Sequence, residues 1–305
     1  MIVEIALFVF GFVLLIWGSD IFVDAASRVA KGFGVSEFLI ALVLASIATT
    51  LPEVTVSAIA AFHRNSGIAL GNAVGSALAN ISLILGVSSI IRPLEVDTDA
   101  WKNALFMLGV TLYSALLMYD GTISRLDGLT LILIYLGFLY FLHAKHVRLG
   151  YGEVEGGNPR RDLLIMLGSG LAVVLGARVV VTTAVGLARA LGIPEVVIGL
   201  TLVSVGTSMP ELANSLTATL KNLPNISVGN IVGANILDIL MVIGIAALIH
   251  PIRVAPGIFS FTLPLTLLVM ALLTGVLRLR SRIGRMTGAV FLAVYSYFLY
   301  VQFGG

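Results

Sequence analysis

Charged and polar residues in this chain fall in clusters, and the stretches between them are apolar and of membrane-spanning length. An α-helix rises 1.5 Å per residue, so roughly 20 apolar residues cross a hydrocarbon layer. Such stretches lie near 2–27, 37–62, 69–91, 102–119, 126–144, 162–189, 195–220, 226–249, 257–277 and 285–303. They predict ten transmembrane helices and an all-α integral membrane protein. The first stretch carries Glu4 and no basic flank, so it reads as a span and not as a cleaved leader. The longest connection is polar and glycine-rich (GYGEVEGGNPRR) and separates five spans from five. The expected organisation is a first five-helix repeat over 1–150, a linker over 151–161 and a second repeat over 162–305.

Composition agrees. Of 305 residues 58% are hydrophobic and 11% charged, with a mean hydropathy of +1.06. A soluble domain of this size carries about twice that charge. The net charge of +2 gives no reason to expect nucleic acid, and the absence of cysteine removes disulfides and thiolate ligands.

Basic residues set the expected orientation. The side reached after the odd-numbered spans holds Arg28, Lys31, Arg92, Lys102, Lys145, Arg148, Arg160, Arg161, Lys221, Arg278, Arg280, Arg282 and Arg285. The opposite side holds only Arg64, Arg125, Arg189 and Arg253. This bias predicts a cytoplasmic central loop and extracellular termini in the cell membrane.

The two halves are related. Shifted by 158 residues, GSDIFVDAASRVAKGFGVSEFLIALVLASIATTLPE lies on GARVVVTTAVGLARALGIPEVVIGLTLVSVGTSMPE, and GNAVGSALAN lies on GNIVGANILD without a gap. Roughly a third of the positions from Gly18 to Gly86 are identical, more than shared hydrophobicity readily gives. An odd number of spans per repeat inverts one relative to the other. Inverted repeats are a common transporter architecture, with the site near the midplane at the repeat interface.

Three acids fall in the middle of spans: Glu53, Glu211 and Asp238. A charge at the bilayer centre costs about 2.5–3.5 kcal/mol on insertion scales, so such residues mark function by default. No Lys, Arg or His lies at matching depth in spans 2, 3, 7 or 8. Cations or protons are therefore expected to supply the missing charge. The neighbours suit cations. Pro52 and Pro210 each remove a helix donor and should free the carbonyls of Ala48 and Gly206. Thr49 and Thr207 precede the two glutamates by one turn, on the same face. Asn72, Ser76 and Asn80 form a polar stripe on span 3, matched on span 8 by Asn230, Ala234 and Asp238. The flanking glycines should let span 3 bring Asn80 toward Glu53 and span 8 bring Asp238 toward Glu211. Carboxylates, hydroxyls and carbonyls are hard ligands, suited to Na+, Ca2+ or Mg2+.

Other polar features have simpler readings. Asp20, Asp24 and Arg178 lie in spans 1 and 6 and are expected to pair with one another or face water. Glu37 and Glu195 follow Ser36 and Pro194 at span starts, where capping and the helix dipole explain them. His63, His143, His146 and His250 sit at span ends. No hydrolase or phosphate-binding motif appears, so neither an enzyme nor ATP-driven transport is expected, and no cofactor.

The motifs ATTLPE…GNAVGSALAN and GTSMPE…GNIVGANILD resemble the paired α-repeats of the cation/Ca2+ exchanger family, and within it the prokaryotic Na+/Ca2+ exchangers. The resemblance covers essentially the whole chain. It implies one Ca2+ and several Na+ sites at the midplane, with Glu53 and Glu211 as shared central ligands. It places Thr49 and Thr207 at the Ca2+ site and Asn80 and Asp238 beside a middle site. Ser46 and Ser76 would line an inner Na+ site, Ser204 and Ser208 an outer one. It also implies that spans 1 and 6 slide across the other eight. The chain departs from the pattern at Ala234, where the family often has Ser, and at ATT in place of GTS. The expected activity is Na+/Ca2+ antiport by alternating access in the lipid bilayer, with Ca2+ and Na+ as substrates and no obligate protein partner. Ca2+/H+ antiport on the same carboxylates is the nearest alternative. A passive cation channel and a membrane-embedded hydrolase are further ones, disfavoured by the inverted repeat and by the lack of His or Cys beside the acids.

Overall fold

The computed structural model describes residues 2–149, 158–190 and 206–304. Its helices are α1 (Ile2–Phe33), α2 (Glu37–Phe62), α3 (Gly67–Ile91), α4 (Ala100–Leu117), α5 (Arg125–Leu149), α6 (Pro159–Ala190), α7 (Met209–Leu220), α8 (Pro224–Ile249), α9 (Ile258–Arg280) and α10 (Arg285–Gly304). Eight of the helices are long and apolar enough to cross a membrane. α5 is described to Leu149 and α6 starts at Pro159, and most of the linker expected over 151–161 lies outside the described residues. Proline is well suited to that first helical position, where no N–H is needed.

Local chemistry sets the helix ends. Ser36 caps α2 by accepting from the Leu39 N–H at 3.2 Å, and Asn65 caps α3 by accepting from Ile68 at 3.3 Å. Arg64 and Asn222 both sit in the left-handed region, at φ 59° and 60°, just past α2 and α7. The two turns close identically, with Asn65 N–H donating to Ala60 O and Leu223 N–H to Ala218 O, each at 2.8 Å. All six of these residues are mates under the 158-residue shift.

Four short strands tie the repeats together. β1 (Leu94–Glu95) pairs antiparallel with β4 (Arg282–Ile283), and β2 (Thr122–Ile123) with β3 (Ile252–Arg253). Each ribbon joins a loop of one repeat to a loop of the other. The helices interlock the same way. α5 reaches the end of α8, where Gly128 meets Gly244, and α10 reaches the end of α3, where Gly288 meets Gly86. The core sits on α3 and α8, which are 72% and 83% buried over their membrane-length stretches against 22% for α5. α8 lies so close to α2 that a Cβ on Gly233 would stand 2.1 Å from the Leu42 carbonyl oxygen. α1 and α6 form a separate close pair, in which a Cβ on Gly176 would stand 2.7 Å from the Leu15 backbone nitrogen.

Two expectations about the prolines part company. Pro52 lies inside a continuous helix as read from the sequence. Pro210 does not. α7 begins at Met209 after a turn at Thr207 and Ser208, and Pro210 occupies its first turn, so the second motif starts a helix where the first continues one.

Candidate cation site

The acids legible in the sequence converge where α2, α3, α7 and α8 meet. Glu53, Glu211 and Asp238 are each 1% exposed. The hydroxyls around them act across the repeat interface. Thr50 Oγ1 donates to Glu211 Oε1 at 3.2 Å, and its mate Ser208 donates from Oγ to Glu53 Oε1 at 3.4 Å. Thr49 Oγ1 lies 3.4 Å from Asn230 Oδ1, and its mate Thr207 Oγ1 lies 3.2 Å from Asn72 Oδ1. Each repeat thus supplies the hydroxyls that face the other repeat's acid and amide. The one-turn spacing puts Thr49 and Thr207 on the same face as the glutamate of their own helix. Helical spacing fixes which face a residue shares and says nothing about the helix opposite.

Asn80 bonds within the α3–α8 contact. Its Nδ2 donates to Asp238 Oδ2 at 3.4 Å and to Asn235 Oδ1 at 3.0 Å, and no hydrogen bond joins it to Glu53. Asn235 Nδ2 in turn donates to the Ala77 carbonyl at 3.0 Å. Asn80 and Asp238 each open a π-helical segment, Asn80–Leu85 and Asp238–Val242. A π-bulge inserts one residue into a helix and re-aims the side chains beside it, a device frequent at functional sites. Ser46 donates to Leu42 O at 2.6 Å along its own helix, which leaves its oxygen lone pairs to accept. Asn72 Nδ2 binds the Glu53 carbonyl at 3.2 Å and Ser57 Oγ at 3.0 Å, holding α3 against α2. Ser204, Pro194 and Glu195 lie outside the described residues.

Several buried oxygens here have no hydrogen-bond partner: Glu53 Oε2, Glu211 Oε2, Asp238 Oδ1, Asn80 Oδ1 and Ser76 Oγ. A buried polar atom without a partner costs about 1–3 kcal/mol, and more when charged. No salt bridge among the described residues reaches the three carboxylates. The acids therefore lack both cationic and hydrogen-bonding compensation on one oxygen each. That donor set fits a hard cation. Among the described residues no three His, Cys, Asp or Glu side chains cage a point by themselves, so amide and hydroxyl oxygens would have to complete a coordination shell.

Sequence reasoning missed Thr50, Asn235 and Asn214 as site or near-site residues. Asn214 lies one turn from Glu211, 1% exposed, and neither of its amide atoms finds a partner. An amide inside an apolar span was the available signal. Of the two expectations for Asp20, Asp24 and Arg178, exposure holds and mutual pairing does not: Asp20 and Arg178 are exposed and Asp24 is half-exposed. Lys221 takes both acids, 2.8 Å from Asp20 Oδ1 and 2.7 Å from Asp24 Oδ1.

The chain matches the model of the sodium/calcium exchanger protein family over residues 3–144 and 162–304, one stretch per repeat. It is 36% identical to an uncharacterized membrane protein of Methanocaldococcus jannaschii over 301 residues, covering 97% of this chain and 96% of that one. It is 32% identical to the sodium/calcium exchanger MaX1 of Methanosarcina acetivorans, covering 99% of each. Among solved structures it superposes on the sodium-calcium exchanger NCX_Mj, soaked with Na+ and Sr2+, with a TM-score of 0.88 at 35% identity over 98% of each chain. The fold is therefore that of a multi-pass membrane exchanger, ten helices in two inverted repeats, and the chain belongs to the sodium/calcium exchanger family.

Proposed function

We propose that this protein is an electrogenic Na+/Ca2+ antiporter in which both ions compete for one carboxylate cluster at the repeat interface. The observation that carries this reading is the set of three buried acids, each with one oxygen that no group of the protein satisfies. Glu53 and Glu211 are the shared ligands. Thr49 and Thr207 contribute oxygens beside them, Asn80 and Asp238 flank a middle position, and Ser46 with Ser76 line one Na+ position. Ser204 and Ser208 line another, on the opposite side. Bound cations neutralise the acids and permit the site to change sides. An empty site resists the change, because bare carboxylates are costly to desolvate. That restriction makes the protein an exchanger and not a leak. The central loop faces the cytoplasm, following the bias in basic residues, and joins the two five-helix repeats.

Ca2+ uptake into proteoliposomes loaded with Na+ tests the proposal, with a pH gradient in place of Na+ as the control. Outward Na+ should drive uptake, and Glu53→Gln or Glu211→Gln should reduce it to background. Uptake driven by the proton gradient alone would assign Ca2+/H+ exchange instead. The observation favouring that second reading is Ala234, fully buried where a hydroxyl would serve Na+.

A further inference from the structure

The α1–α6 pair meets the rest of the molecule along two seams that the repeat relates to each other. One runs between α1 and α7, the other between α6 and α2. The first is polar and bonded. Ser19 Oγ donates to Thr217 Oγ1 at 2.9 Å. Lys221, at the end of α7, binds Asp20 Oδ1 at 2.8 Å, Asp24 Oδ1 at 2.7 Å and the Asp20 carbonyl at 3.0 Å. Shifting each partner by 158 residues gives the second seam. Ser19 becomes Ala177 and Thr217 becomes Ile59; Asp20 becomes Arg178, Asp24 becomes Thr182, and Lys221 becomes His63. Alanine cannot bond to isoleucine, and arginine and histidine do not attract each other. A solvated surface ion pair is worth little by itself. Against it stand three oxygens on one ammonium that is only 24% exposed, and a symmetry mate that can make none of these bonds. By contrast, the Arg28–Asp162 pair at 2.9 Å joins α1 to α6 and travels with them, so it favours neither seam.

We propose that Lys221 is a positioning residue of the transport cycle, latching α1 to α7 on the central-loop side and making the two access states unequal in population. The latch holds the loop-side seam closed, and among the described residues the mates of its partners make no matching bonds across the opposite seam. This rests on the alternating-access reading, in which the α1–α6 pair moves against the other helices.

The chain has no cysteine, so a single introduced thiol reports the seam without background. Ala218 on α7 is fully buried in the cluster that includes Ala25 and Ala26 of α1. In Ala218→Cys protein, purified at full length in detergent, the labelling rate by a water-soluble maleimide measures opening. Lys221→Gln should raise that rate on the order of five-fold, the effect of an ion pair worth about 1 kcal/mol. Lys221→Arg should leave it near the parent rate, and the charge exchange Lys221→Glu with Asp24→Lys should bring it back down. Each variant is compared only if it elutes as the parent does in gel filtration. An unchanged rate in Lys221→Gln, or a raised rate that the charge exchange does not reverse, would overturn the latch. The labelling assay needs no ion gradient and is run at one fixed ion composition for every variant. Failure of Na+-driven Ca2+ uptake with a responsive thiol would count against the proposed function alone.

Discussion

Thr50 and Ser208 each place one hydroxyl on a carboxylate of the other repeat, and each leaves the second carboxylate oxygen open. Hydrogen bonds to charged groups are worth about 1.5–3 kcal/mol, so Thr50→Val should raise the Ca2+ concentration for half-maximal exchange by roughly ten-fold or more. Thr50→Ser should keep it near the parent value. A Ca2+ titration of uptake checks both, and a normal Thr50→Val curve would mean that Glu211 is held by other groups. Lys221 gives a pH expectation of its own. Partial burial pulls its pKa down, but the Asp20 and Asp24 carboxylates outweigh that and hold it above the usual lysine value. A raised pKa means the latch is fully present below the ordinary lysine value and is lost as pH rises through the higher one. Labelling of the Ala218→Cys reporter should therefore be flat from about pH 7 to about pH 10, after correction for thiol ionisation measured on a free thiol, and climb above it. Glu53, Glu211 and Asp238 were legible because a carboxylate inside an apolar run has no cheap structural explanation. Thr50, Asn235 and the partner of Asp20 were not, because their contacts join positions 155 to 201 residues apart. Periodicity within one helix carries no information about such contacts.

At the scale of elements, glycines decide how closely the helices of the site approach. Gly233 faces the Leu42 carbonyl and Ser46 Oγ, at 2.1 and 2.6 Å from an added Cβ. A methyl there has to push α8 away from backbone, which does not yield as a side chain does. Overpacking of this kind costs about 1–3 kcal/mol, so Gly233→Ala should lower thermal stability by several degrees and weaken ion binding. A melting curve followed by tryptophan fluorescence, with and without Ca2+, separates the two effects. The spans other than the seventh, whose first part lies outside the described residues, were legible to within about six residues from hydropathy, with Ser36 marking the start of α2. The π segments that Asn80 and Asp238 open were not, since the inserted residue leaves the apolar pattern intact. The break before Pro210 was also hidden. LPE and MPE read alike, and only the surrounding packing makes one a mid-helix residue and the other a helix start.

In the whole molecule, the β1–β4 and β2–β3 ribbons and the crossed α5–α8 and α10–α3 contacts bind the repeats into one frame, and the α1–α6 pair takes no part in those ties. Asn235 bonds the carbonyl of Ala77, and these two positions are each other's mates under the repeat. A residue that touches its own mate lies on the pseudo-two-fold axis. In a dimer of identical five-helix chains both positions would carry the same side chain, two asparagines crowding one point or two alanines leaving it without a donor. Two repeats of different sequence escape that constraint, with an amide at one mate and a small side chain at the other. The Asn80–Asn235–Ala77 chain is thus closed to a pair of identical chains, and it marks the centre of the interface as a place where the two repeats must differ.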